Sequence, residues 1–170
     1  MAIVKATYTR KGGAAKAAVR YIENRPGKDG ARVVRTLFNA DGKVVRGDVY
    51  DMIDQADRNS YFFRLVISPD PKSEDSDKNL SLWEITGRTV QSLEARFRRP
   101  LQWVAAIHDD HTGHRHIHAL AIVPERLQVQ DFQRMRSAAT GEALEQRHQL
   151  DLAREQRELS QQSEGLGLSW

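Results

Sequence analysis

Two apolar, β-rich runs on either side of a histidine-rich turn restrict the fold more tightly than any other stretch of this chain. Trp103-Val104-Ala105-Ala106-Ile107 precedes the turn, and Ala119-Leu120-Ala121-Ile122-Val123 follows it. Between them lies His108-Asp109-Asp110-His111-Thr112-Gly113-His114-Arg115-His116-Ile117-His118, which holds five of the chain's six histidines. Apolar runs this short read as buried strands, here Leu101 to Asp109 and Arg115 to Pro124. If Asp109 to His114 turns the chain back, the two strands pair antiparallel. Strand side chains alternate faces, so His116 and His118 share a face with Leu120 and Ile122, and His108 shares one with Val104 and Ala106. His108 can then stand beside His116 and His118.

Three converging imidazoles with room for outside ligands describe a catalytic metal site rather than a closed structural one. Neutral imidazole suits Zn, Mn, Fe, Co and Ni. A His-x-His pair alone reads as an ordinary hydrogen-bonded pair; His108 at the end of the neighbouring strand is what favours a metal. Asp109 or Asp110 is placed to accept a ring N–H and fix a tautomer. His111 and His114 belong to the turn, with His114 a reserve third ligand.

The rest of the chain reads as alternating strands and helices. At 170 residues it is long enough for one domain with a core. Ile3 to Thr9 reads as a strand, which Gly12-Gly13 breaks. Ala14 to Glu23 is rich in helix formers and places Ala14, Ala17, Ala18 and Tyr21 on one face. Arg32 to Phe38 and Lys43 to Arg46 predict a hairpin around Asn39-Ala40-Asp41-Gly42. Asp48 is placed to cap a helix over Val49 to Ala56. Tyr61 to Ser68 is almost continuously apolar and predicts a central strand buried on both faces. After a polar loop, Leu82, Ile85, Thr89, Leu93 and Phe97 mark an amphipathic helix within Leu80 to Arg99, closed by Pro100. Beyond Leu127, Gln, Arg and Glu dominate. The pattern predicts one or two mostly exposed helices with a break near Thr140-Gly141.

Composition narrows the chemistry. The absence of cysteine excludes disulfides, thiolate nucleophiles and Cys-ligated zinc. No apolar run approaches the ~20 residues that span a bilayer, and Met1-Ala2-Ile3-Val4-Lys5 lacks the layout of a signal peptide. A cytoplasmic protein is expected. The net charge of +3 is compatible with a nucleic-acid partner without requiring one. There is no Gly-x-Ser-x-Gly, and the four tyrosines, Tyr8, Tyr21, Tyr50 and Tyr61, all precede the histidines. Tyrosine serves as a covalent nucleophile when a metal polarises the electrophile. Tyr21 is the best placed, late on a small-residue helix beside Arg20 and near Arg25, both suited to phosphate.

These segments resemble a known family. Residues 103–127, WVAAIHDDHTGHRHIHALAIVPERL, resemble the histidine motif of plasmid-mobilisation relaxases, the HUH endonucleases that nick DNA at an origin of transfer. Residues 14–30, AAKAAVRYIENRPGKDG, resemble their N-terminal tyrosine motif, and FFRLVISPD at 62–70 resembles the strand between the two. The tyrosine-first order is the relaxase layout, a circular permutation of that of rolling-circle replication initiators. Relaxases are usually longer than this chain.

The resemblance implies an α+β fold: a central antiparallel sheet with helices on its faces, forming a nuclease domain over residues 1–127, followed by a mostly exposed helical extension at 128–170. It implies Tyr21 as nucleophile and His108, His116 and His118 as metal ligands. It also implies Asp110 as an accompanying acidic residue, with Asp109 left open. The implied cofactor is a divalent cation, Mg2+ or Mn2+ first, with Zn2+, Co2+ or Ni2+ as alternatives. The implied substrate is single-stranded DNA at an origin of transfer, and accessory transfer proteins are potential partners. The expected reaction leaves a 5′-phosphotyrosine link and a free 3′-OH, and is reversible. Arg32, Arg35, Lys43 and Arg46 on the hairpin, with Arg96, Arg98 and Arg99, are candidates for backbone contacts beside Arg20 and Arg25. Two other classes stay open: a non-cleaving DNA-binding accessory protein on the same fold, and a His-metal hydrolase that uses water.

Overall fold

A computed structural model of the chain describes residues 1–109 and 113–167. In chain order the elements are β1 (Ile3–Thr9), α1 (Gly12–Asn24), β2 (Leu37–Asn39), β3 (Gly42–Val44), α2 (Arg46–Asp54), β4 (Tyr61–Ser68), α3 (Leu82–Phe97), β5 (Gln102–His108), β6 (His116–Val123) and α4 (Val129–Gly167). The strands form one antiparallel six-stranded sheet in the order β1-β4-β6-β5-β2-β3. The class is α+β.

Period-2 alternation sorts the core into two layers. On one face Ile117, Ala119, Ala121 and Val123 of β6 join Trp103 and Ala105 of β5 and Phe63, Leu65 and Ile67 of β4. They pack against Leu82, Ile85, Val90 and Leu93 of α3 and Met135, Ala139 and Ala143 of α4. On the other face Leu120, Ile122, Val104, Ala106 and Phe62 meet Ala15, Ala18, Val19 and Ile22 of α1 and Val49 and Ile53 of α2. Helix α3 is bounded as its sequence dictates. The Ser81 side chain caps its start by accepting from the Glu84 amide at 3.4 Å, and Arg98 ends it in a left-handed conformation at φ 55°.

Several expectations shift. The first strand ends at Thr9 as expected, but Gly12 and Gly13 belong to the first turn of α1, which starts ahead of Ala14. The buried stripe of that helix is Ala15, Ala18, Val19 and Ile22; Ala14, Ala17 and Tyr21 are exposed. The hairpin strands are only three residues each, so Arg32 and Arg35 lie ahead of β2 and Arg46 opens α2. β4 is buried at Phe63, Leu65 and Ile67 on the α3/α4 face, but on the other face only Phe62 is buried, Val66 and Ser68 are half-buried and Arg64 is exposed, so the strand is not buried on both faces as expected. Residues 129–167 form one helix that continues through Thr140-Gly141. Its first half lies against α3, with Met135, Ala139 and Ala143 fully buried, and residues 152–167 are exposed.

Candidate metal centre

The β5–β6 register sets His108 directly opposite His116, and Ala106 opposite His118. Parity then puts all three rings on the α1/α2 face. The His108 ring centroid is 4.3 Å from that of His118 and 5.5 Å from that of His116, and the last two are 5.0 Å apart. One ring nitrogen from each lies within 4.8 Å of the others. His108 and His116 are buried, and His118 is half-buried.

One hydrogen bond orients the deepest ring. His108 Nε2 lies 2.9 Å from the Ile22 carbonyl oxygen of α1. A carbonyl only accepts, so Nε2 carries the proton and Nδ1 carries the lone pair. Nδ1 is buried and has no hydrogen-bond partner among the described residues. A buried lone pair without a donor is costly, and a cation beside it relieves that cost. An outer carbonyl that fixes the ring tautomer is the usual arrangement behind a ligating histidine. The residues present therefore fit a divalent cation.

Electrostatics point the same way. Burial holds His108 at a pKa of about 3, well below the ordinary 6.5, with repulsion from His118 and Arg35 adding to it. Burial likewise lowers His118 to about 4, helped by His116, Arg25, Arg64 and Arg35. Both rings are neutral at physiological pH, the form that binds metal.

Tyr21 borders this centre. Its ring centroid is 6.2 Å from that of His118, edge to face at 74°. The guanidinium carbons of Arg25 and Arg64 lie 5.6 and 5.8 Å from the Tyr21 ring centroid. The phenol is 41% exposed, so it is reachable rather than packed away. It opens on a groove of about 320 Å³ floored by Lys5, Thr7, Arg64, Val66 and His118. Tyr21 precedes Ile22, so the hydrogen bond that orients His108 also ties down the helix turn that carries the phenol.

The arginines divide. Arg25 and Arg35 belong to the site; Arg35 is buried and donates to the Arg25 carbonyl at 2.7 Å. Arg20, Arg32, Lys43 and Arg46 are exposed; Arg20 and Arg46 lie on α1 and α2, whereas Lys43 pairs with Phe38 and so takes the α3/α4 face of the sheet. Arg96 is bound to Asp131 at 2.8 Å and Glu125 at 3.3 Å. It lies with exposed Arg98 and Arg99 at the far end of α3, on the other face of the sheet. Asp109 is exposed, and His114 is exposed with its ring 6.4 Å from that of His116. Asp110 and His111 lie outside the described residues.

Three contributors were not anticipated from sequence. Arg64 sits inside an apolar strand, where its charge was the only signal. The Ile22 carbonyl is backbone and has no residue signature. Arg115 makes a two-pronged pair with Asp75, at 2.8 and 2.9 Å, and donates to the Leu80 carbonyl at 2.9 Å. That anchor fixes the chain immediately before His116. No family model, curated protein or solved structure matches the chain.

Proposed function

We propose that this chain is a relaxase-type nickase: a metal-dependent enzyme that cleaves single-stranded DNA at an origin of transfer by tyrosine transesterification. The observation that carries the reading is the exposed Tyr21 ring 6.2 Å from His118, at the rim of a three-histidine cluster. His108, His116 and His118 would hold the cation. When bound, a divalent cation supplies positive charge to the non-bridging oxygens of the scissile phosphate.

The chain's own groups do the rest. Arg25 and Arg64 flank the phenol and hold the phosphate by charge. Tyr21 Oη forms the new bond to phosphorus, the bond to the 3′ oxygen breaks, and the tyrosine proton ends on that oxygen. The products are a 5′-phosphotyrosine and a free 3′-OH. The ester retains the bond energy, so attack by a 3′-OH reverses the step.

The experiment is nicking of supercoiled plasmid carrying the mobilised origin, with Mg2+ or Mn2+ against a chelator. Metal-dependent nicking that leaves protein on the 5′ end, lost in both Tyr21→Phe and His116→Ala, is expected. Cleavage that survives Tyr21→Phe but not His116→Ala would instead mean water is the nucleophile. DNA binding with no divalent-cation binding would mean a non-cleaving module.

A further inference from the structure

A second cluster lies on the opposite face of the sheet from the histidines. Tyr8 of β1 packs against Tyr61 and Phe63 of β4, with ring centroids 5.4 and 5.2 Å away. The Arg126 guanidinium lies 5.4 Å from the Tyr8 ring centroid, and that of Arg10 lies 4.6 Å from the Tyr61 ring centroid. Tyr8 is 42% exposed. Arg10 and Arg126 are exposed, and neither has a carboxylate partner among the described residues. Contrast Arg96, whose charge Asp131 and Glu125 answer.

We propose that this aromatic–arginine cluster is a base-stacking subsite for single-stranded DNA, continuous with the groove at Tyr21. The identity of the ligand rests on the nickase reading; the cluster's chemistry points to the same class. Two unpaired guanidiniums call for a polyanion, and exposed aromatic and guanidinium planes stack bases of any sequence. The route is set by β1. Lys5 and Thr7 face the groove, Tyr8 is the next residue on the other face, and Arg10 follows it. β1 is the outermost strand of the sheet, so among the described residues no strand pairs with its far side to block the passage. Tyr61 is five residues along β4 from Val66, the residue paired with His118, or about 17 Å along the strand. A strand leaving the groove therefore crosses the β1 edge and meets the cluster a few nucleotides from the reacting phosphate.

The test is fluorescence anisotropy with labelled oligothymidylates of about 3 and about 20 nucleotides, the first too short to occupy both the groove and the cluster. Tyr8→Ala should weaken the longer one by roughly 5- to 150-fold and the shorter one little, with Tyr8→Phe restoring it. Arg10→Ala with Arg126→Ala changes only exposed side chains. It should reduce the slope of log affinity against log salt by about 1.4 for the longer oligonucleotide. Variants that bind it like the wild type, with the same slope, overturn the subsite even if the protein nicks DNA. A wild-type protein that forms no covalent adduct, while these variants still lose binding, overturns the nickase reading and keeps the subsite. A wild-type protein that binds neither oligonucleotide overturns both.

Discussion

The α3/α4 face of the sheet is filled with aliphatic and aromatic side chains, whereas the α1/α2 face of the same strands carries three histidines, with Arg25, Arg35 and Arg64 around them. Ile117 and His118 are neighbours on β6 and take opposite faces. Ile117 is fully buried between the sheet and the helices behind it. His118 looks into the groove beside Tyr21. The contrast shows how a strand divides labour. Both faces bury apolar surface that stabilises the fold. The α1/α2 face also holds polar groups in a partly dry setting, where each needs a partner or costs free energy. His108 and His118 are tolerated because burial keeps them neutral, the Ile22 carbonyl meets His108, and the three-histidine cluster could hold a cation.

The widest separation between the faces should come from that adjacent pair. Ile117→Ala should cost about 2–5 kcal/mol in urea unfolding and leave the cation affinity of the folded protein unchanged. His118→Ala should do the reverse, weakening Mn2+ binding by calorimetry more than about 100-fold while moving stability by under ~1 kcal/mol. Equal stability losses at both positions would erase the distinction.

A second effect is pH-dependent. The folded-state pKa values of about 3 and about 4 for His108 and His118 lie below the ordinary 6.5. Above pH 6.5 both rings are neutral whether folded or not, so their contribution to stability is complete. As pH falls below 6.5 the unfolded chain takes up protons that the folded chain refuses. Metal-free stability should therefore drop by about 1.4 kcal/mol per pH unit for each proton, levelling as the folded rings titrate near pH 4 and below. His118→Ala should remove one proton from that slope. For the same reason, His108 and His118 should contribute little to any change in cation affinity between pH 7 and pH 5.

The smallest effect should come from Arg64, whose charge is one of several lowering His118. Arg64→Ala should raise the His118 pKa, read by NMR titration of the metal-free protein. An unmoved value would mean that Arg64 does not act on His118.

Most of the fold was legible because its signals are local and redundant. The two apolar runs around the histidines could only be strands, and period-2 alternation then placed His108, His116 and His118 on one face without further information. Helix α3 announced itself through its apolar spacing and Pro100. What failed was phase and extent. In α1, alanines occupy both faces, so composition could not choose between the 14-17-18-21 stripe and the 15-18-19-22 stripe; Val19 and Ile22 decide it by burying more area. Gly141 suggested a break in α4. A helical glycine costs only about 1 kcal/mol relative to alanine, and the packing of Ala139 and Ala143 against the core outweighs it. Arg64 was hidden by its apolar neighbours. The Ile22 carbonyl belongs to the backbone and becomes visible only once α1 is docked on the sheet.

The central claim is that Tyr21 and the three histidines form one reacting centre. It is tested most directly by incubating the protein with a randomised pool of single-stranded DNA and Mn2+, trapping covalent adducts, and locating the modified peptide by mass spectrometry. The account predicts a phosphodiester-linked nucleotide on Tyr21, absent with chelator and absent in His116→Ala. An adduct on Tyr8, Tyr50 or Tyr61, or one on Tyr21 that forms equally well without the histidines, would contradict it.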